Sequence, residues 1–233
     1  MRRATLYASH RWISAVALVQ LAVWTGTGLF FAVVPIERVR GSDRTAPEPA
    51  APLPLGDLAP LPAAALAGAE QVTLRLVDGR PAWVASAGRG VRRWLVDARS
   101  GERVAVDAAA AERIARADQV AQPRALRVER VEAAPVEYRG GPVPAWRVDL
   151  DDGRETRVYV DAATGAVKAR RNGVWRVYDF LFGLHIMDYG GREDFNTPLL
   201  AIAAAVGVAT SLSGLVLWAA RLAARRQAQP ARR

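Results

Sequence analysis

Residues 12–36 read WISAVALVQLAVWTGTGLFFAVVPI and residues 195–220 read FNTPLLAIAAAVGVATSLSGLVLWAA, and neither stretch holds an Asp, Glu, Lys, Arg or His. At 1.5 Å rise per residue, a helix of about 25 residues crosses a hydrocarbon core of about 30 Å with some tilt. Both stretches therefore read as transmembrane helices, one near each end of the chain. A signal-peptide core is shorter, about 7 to 15 residues, and is followed by a small-x-small cleavage site. Pro35-Ile36-Glu37-Arg38 follows the first stretch instead, so it is expected to be an uncleaved anchor.

Arginine sets the expected orientation. Arg2, Arg3 and Arg11 precede the first stretch, and Arg221, Arg225, Arg226, Arg232 and Arg233 follow the second, with no acidic residue in either tail. The positive-inside rule then places both termini in the cytoplasm of a bacterial inner membrane and exports the middle. These eight arginines account for nearly all of the net charge of +9. The charge thus reports topology and contact with anionic inner-leaflet lipid, and argues against nucleic acid as a partner.

No cysteine is present, which removes disulfides, thiolate metal sites and thiol chemistry. The exported domain, residues 55–171, also lacks histidine, a glycine-rich phosphate loop and a His-Glu-x-x-His sequence, so hydrolytic, zinc and nucleotide chemistry lack their parts. Asp149, Asp151 and Asp152 offer a weak Ca²⁺ site or, beside Gly153, a solvated hairpin tip.

The middle repeats itself. Arg93-Trp94-Leu95-Val96-Asp97-Ala98-Arg99-Ser100-Gly101 aligns with Arg157-Val158-Tyr159-Val160-Asp161-Ala162-Ala163-Thr164-Gly165, and Pro81-Ala82-Trp83 with Pro144-Ala145-Trp146. Each copy reads as a short Ala-rich helix followed by alternating strands. In the second, Asp107 caps a helix running to Val120, and strands follow at 126–131, 145–150 and 156–160. Asp161 and Gly165 suit a turn in which the carboxylate caps the backbone and glycine takes a positive φ. The expected fold class is α+β, with two transmembrane helices flanking an exported tandem domain of small antiparallel sheets. The expected segments are a cytoplasmic tail 1–11, a helix 12–36, a Pro-rich stalk 37–54, repeats 55–105 and 106–171, an amphipathic interfacial helix 173–190, a helix 195–220 and a basic tail 221–233.

The run Val158-Tyr159-Val160-Asp161-Ala162-Ala163-Thr164-Gly165-Ala166-Val167, with the helix and strands before it, resembles the PepSY domain, best over 107–170 and more weakly over 55–105. The flanks resemble the PepSY-associated transmembrane family. There the first helix opens with His-Arg-Trp and later carries Thr-Gly, as His10-Arg11-Trp12 and Thr27-Gly28 do. The last helix is preceded by Leu-His and Gly-Gly and ends in Ser-Gly-Leu-x-Leu-Trp, as in Leu184-His185, Gly190-Gly191 and Ser213-Gly214-Leu215-Val216-Leu217-Trp218. Larger members resemble inner-membrane haem reductases of ferric siderophores, with more helices and more histidines than the two of each here.

His10 and His185 are the only histidines, one at each membrane face in the expected topology. One monomer cannot bring them together, but a parallel homodimer would pair two copies of His10 on one haem and two of His185 on another. The resemblance implies such a haem-bearing electron-transfer component of ferric-chelate reduction or iron uptake, with Arg11, Arg176 and Arg192 as cations for the propionates. The bland reading makes both histidines headgroup-level anchors. Trp175, Tyr178, Phe182 and His185 share one helical face, expected at headgroup depth. Gln20, Thr25, Thr27, Thr210, Ser211 and Ser213 are expected to bond across helices, and Gly26, Gly28, Gly207 and Gly214 to permit close approach. The rival function is a membrane-anchored binding module that inhibits or tethers an exported partner such as a peptidase, through exposed strand or aromatic surface at Trp83, Trp94, Trp146 or Tyr159.

Overall fold

The computed structural model describes residues 3–47, 56, 58–60 and 62–228, in two compact units, 1–35 with 177–233 and 36–176. Of the expected stalk, residues 48–54 lie outside the described residues, as do both chain ends.

The first unit holds the two long helices, α1 (Arg3–Val33) and α5 (Pro198–Ala228), and the end of α4 (Gly173–Ile186). Tyr7–Val33 and Pro198–Arg225 are each long and apolar enough to span a membrane. They run antiparallel: the Arg221 guanidinium lies 5.3 Å from the Tyr7 ring, and His10 meets Ser213. Most of their surface is uncovered, with Val16 72% and Val216 67% exposed, as suits helices whose solvent is lipid. The aromatic face of α4 meets α1. Tyr178, Phe182 and His185 all pack on Phe31 of α1, at ring separations of 4.8, 6.3 and 5.5 Å.

The second unit contains two four-stranded antiparallel meanders, β1 (Gln71–Val77), β2 (Arg80–Ala87), β3 (Arg92–Asp97), β4 (Arg103–Val104), and β5 (Ala125–Val131), β6 (Ala145–Leu150), β7 (Arg157–Asp161), β8 (Val167–Arg171). Asp78 and Gly79 join β1 to β2, both at positive φ (51° and 74°), the two-residue turn whose twist matches the strands. The short helix α3 (Ala108–Ala117) is capped by Asp107, whose Oδ1 accepts from Ala110 N at 2.7 Å.

The repeats share one core. Val77, Ala82 and Leu95 of the first sheet and Val148, Val158 and Val160 of the second close on Ala111 and Ala115 of α3, both fully buried. Gly165 has φ 68°, and a Cβ there would stand 2.6 Å from Val77 Cγ1, so the turn after β7 is glycine for conformation and for space.

Three expectations are corrected. The Ala-rich start of the first repeat, Ala63 to Gly68, forms turns, not a helix. The segment 37–46, assigned to the stalk, is folded: α2 (Ile36–Arg40) buries Val39, Asn172 Nδ2 donates to Arg38 O, Arg154 pairs with Asp43 at 2.7 Å, and Thr45 bridges to Gln119. The stalk's prolines begin only after this packed segment. Finally, Tyr159 is fully buried and Trp146 reaches inward to Val106 O, so neither forms an exposed aromatic surface.

Candidate functional site

Each histidine of the first unit meets one hydroxyl. His10 Nδ1 lies 2.7 Å from Ser213 Oγ, and His185 Nδ1 lies 2.7 Å from Thr27 Oγ1. Both hydroxyls already donate their single proton to their own helix: Ser213 to Thr210 O at 2.8 Å, Thr27 to Val23 O at 2.8 Å. A hydroxyl so committed can only accept. In the tautomer this pairing favours, Nδ1 carries the proton and Nε2 the lone pair; a hydroxyl that turned its proton to the ring would reverse the assignment.

The two clusters have the same construction. Thr27 and Ser213 each stand directly before a glycine, and each offers a low-dielectric acceptor to a ring from the facing segment. A Cβ on Gly214 would lie 3.6 Å from His10 Cε1 and 3.9 Å from Nε2, so glycine leaves that edge of the ring uncovered. Ser14 Oγ, one helical turn on, is 3.4 Å from His10 Nε2. At the other cluster, Trp24 Nε1 donates to His185 O at 2.8 Å, fixing the last turn of α4 to α1. Seventeen residues of α1 separate His10 from Thr27, about 25 Å of rise, so the clusters sit near opposite ends of the helix. Between them, Gln20 Nε2 and Thr210 Oγ1 are buried with no partner among the described residues, which costs each its hydration.

The expected cations are otherwise engaged. Arg192 pairs with the buried Asp179 at 2.6 Å, and its Cγ fills the space beside Gly183, where a Cβ would approach to 2.9 Å. Arg176 belongs to the second unit, and its guanidinium meets Glu137 at 3.3 Å and Glu155 at 3.6 Å. Arg11 lies 5.7 Å from the Trp12 ring. The loop between α4 and α5 is tied by Asp188, which accepts from the backbone of Gly190, Gly191, Glu193 and Asp194; those bonds hold its carboxyl down to about 2.

No group of three or more His, Cys, Asp or Glu stands together as an ion site among the described residues. Asp149 is spent on Arg147, Asp151 on Arg124, and Asp152 on the Arg154 and Thr156 amides of its own loop. The histidines were evident from their scarcity. Thr27 and Ser213 were read as helix-packing groups, and what marks them is the hydroxyl-glycine pair in each long helix. Asp179 gave no signal apart from being an acid on an apolar helix face.

The family model described as PepSY-associated TM region matches residues 7–233. No curated protein and no solved structure matches the chain.

Proposed function

The chain belongs to the PepSY-associated transmembrane family, and from that premise we propose that it is a haem-binding electron-transfer protein of the bacterial inner membrane, with His10 and His185 as iron ligands at two levels. The observation that carries this reading is the shared geometry of the two rings. Metal-ligating histidines characteristically give one N–H to an outer partner, which orients the ring and raises the basicity of the other nitrogen. Ser213 and Thr27 are such partners, and neither occupies Nε2, which at His10 has Ser14 Oγ 3.4 Å away. A ring serving only as a headgroup anchor would have no use for a proton-committed hydroxyl inside the helix pair.

Haem iron held by imidazole cycles between ferric and ferrous states and so accepts and passes single electrons. Each level of one chain supplies one histidine, so a second copy in a parallel homodimer would supply another His10 and another His185 to hold a haem at each level. With both termini cytoplasmic and residues 37–194 exported, electrons pass outward to an acceptor such as a ferric chelate. Phe31, edge-on to His185 at 5.5 Å, limits that ring's rotation. Arg11, beside His10 in sequence, is the cation for a propionate at that level. Arg192 and Arg176 serve by holding Asp179 and Glu137.

The test is the absorption spectrum, oxidised and dithionite-reduced, of detergent-purified protein expressed with ample haem. The expected result is a Soret band with sharp reduced α and β bands, about halved in His10→Ala and in His185→Ala. Ser213→Ala keeps haem but shifts the midpoint potential of one population, as a lost outer partner should. A colourless wild-type protein with intact helix content overturns the reading.

A further inference from the structure

The second unit leaves one long strand edge open. In the β1–β2 hairpin the closing pair is Val77 with Arg80, and the register runs back through Arg75 with Ala82 and Thr73 with Val84. Pairs alternate between bonded and non-bonded along an antiparallel ladder. Residues 71, 73, 75 and 77 therefore turn their amides toward β2, while Val72, Leu74 and Leu76 turn N–H and C=O away from the sheet. β1 ends its sheet, and no described residue meets those groups. Natural proteins cover or charge such an edge because it pairs readily with another chain.

Two clefts border this edge. A cleft of about 520 Å³ lies over Gln71, Thr73 and Arg75, with Arg89, Arg93 and Lys168 on its walls and no carboxylate in its lining. A second, of about 1040 Å³, runs along Leu74, Arg75 and Leu76 toward Ile114 and Val167, and carries Asp78, Arg113, Arg116, Asp118 and Arg170 as well. Arg75 belongs to both, and its Nε is buried without a hydrogen-bond partner. Arg93 is held by Asp161 at 3.0 Å, but Arg75, Arg89 and Lys168 meet no acid among the described residues. An edge with free amides, Leu74 and Leu76 on one face and an unneutralised Arg75 on the other asks for one kind of occupant.

We propose that the open edge of β1 docks an extended acidic peptide segment of another polypeptide, which adds as an antiparallel fifth strand with its carboxylates on Arg75 and Lys168. Main-chain bonds supply affinity in this mode and alternate side chains supply specificity. Residues of the guest opposite Leu74 and Leu76 share their face and bond to β1, so they are apolar. Those opposite Thr73 and Arg75 face the cations, so they are acidic.

The probe is a fluorescent, end-blocked hexapeptide alternating Glu and Val, titrated into the full chain in zwitterionic nanodiscs. Binding is expected below about 1 mM, and methylating the Val nitrogens weakens it at least tenfold, because those amides face β1. Methylating the Glu nitrogens, which point away, changes it little. The three peptides carry equal charge, so attraction to the basic tails cancels. Arg75→Glu and Arg75→Gln each weaken binding about tenfold with the thermal midpoint unchanged. Lys168 is the only lysine in the chain. Carbodiimide coupling of bound peptide therefore maps to Lys168, and Lys168→Arg keeps binding while losing the adduct. Equal binding of all three peptides, or their displacement by citrate at equal strength, marks a small-anion site and overturns the proposal. Absence of binding, or binding only after residues 48–57 are replaced by Gly and Ser, overturns it as well, the latter assigning the groove to the chain's own segment. Haem content is unchanged in every variant, so this test and the spectroscopic one fail separately.

Discussion

The two sheet repeats cover equivalent faces in different ways. In the second, α3 lies on the face formed by Val148, Val158 and Val160. In the first, the aligned face carries Ala85, Trp94 and Val96, and turns around Leu66 and Ala69 cover it, with Trp94 Nε1 donating to Ala65 O at 3.0 Å. The difference follows from what lies beyond each cover. α3 is packed between two sheets, since the opposite side of the first sheet, Val77, Ala82 and Leu95, closes on it as well. The turns of the first repeat have no second sheet beyond them. A short Ala-rich segment gains most of its helicity from packing, and only the segment packed on two sides became a helix.

The same contrast recurs in the turns, and there it has its largest consequence. Asp97 and Asp161 occupy aligned positions and cap the same turn: Asp97 Oδ1 accepts from Arg99 N and Ser100 N, Asp161 Oδ1 from Ala163 N. Asp161 is also fully buried, accepts from Thr164 Oγ1 at 2.9 Å, and receives Arg93 of the first repeat at 3.0 Å. Asp161→Ala should therefore cost about 3–4 kcal/mol, since it leaves a partly buried guanidinium without its acid, while Asp97→Ala should cost about 1 kcal/mol, the price of a cap. Urea unfolding of the two variants in detergent, followed by tryptophan fluorescence, measures both. Equal losses would mean that the repeats are held together by the core and not by this pair.

Glu137 sharpens the comparison through pH, because the first repeat has no counterpart to it. Burial pushes its carboxyl up, but hydrogen bonds from Tyr159 at 2.6 Å and Arg157 at 3.0 Å, with the charges of Arg157 and Arg176, outweigh burial and hold it below its ordinary 4.5. The same bond and burial push the Tyr159 hydroxyl upward, and burial drives Tyr138, stacked on it at 4.3 Å, up to about 12. A carboxylate depressed in the folded state contributes stability that is complete above its unfolded value and is lost as pH falls through the folded one. Unfolding of the wild type should grow easier below about pH 4.5, and Glu137→Gln should flatten that slope. At neutral pH the same variant should cost about 1–2 kcal/mol, from donors left without a charged acceptor.

Alternation and turn chemistry were legible because they are local. Strands expected at 126–131, 145–150 and 156–160 are β5, β6 and β7 within one residue at each end, and the Asp161 to Gly165 turn has the anticipated capping and φ. What could not be read was whatever depended on a distant neighbour. Pro and Ala between 45 and 54 suggested a spacer, yet the residues just before them are held by Asn172, Arg154 and Gln119, all more than seventy positions away. The histidines stood out by scarcity, whereas their partners Thr27 and Ser213 became visible only when α4 and α5 were placed against α1.

Asp107 tests the comparison at its smallest scale. Its side chain accepts from Ala110 N and so satisfies one of the first amides of α3, which is ten residues long. An isolated helix of that length is marginal in water, so a lost cap would abolish it if local energetics decided its formation. If packing between two sheets decides it, Asp107→Ala removes only the cap, about 1 kcal/mol, and leaves α3 in place. Amide hydrogen exchange separates the outcomes. Amides at 112–116 that keep their protection while those at 108–110 exchange faster would show the sheets forming the helix, and uniform loss across 108–117 would return that role to its own sequence.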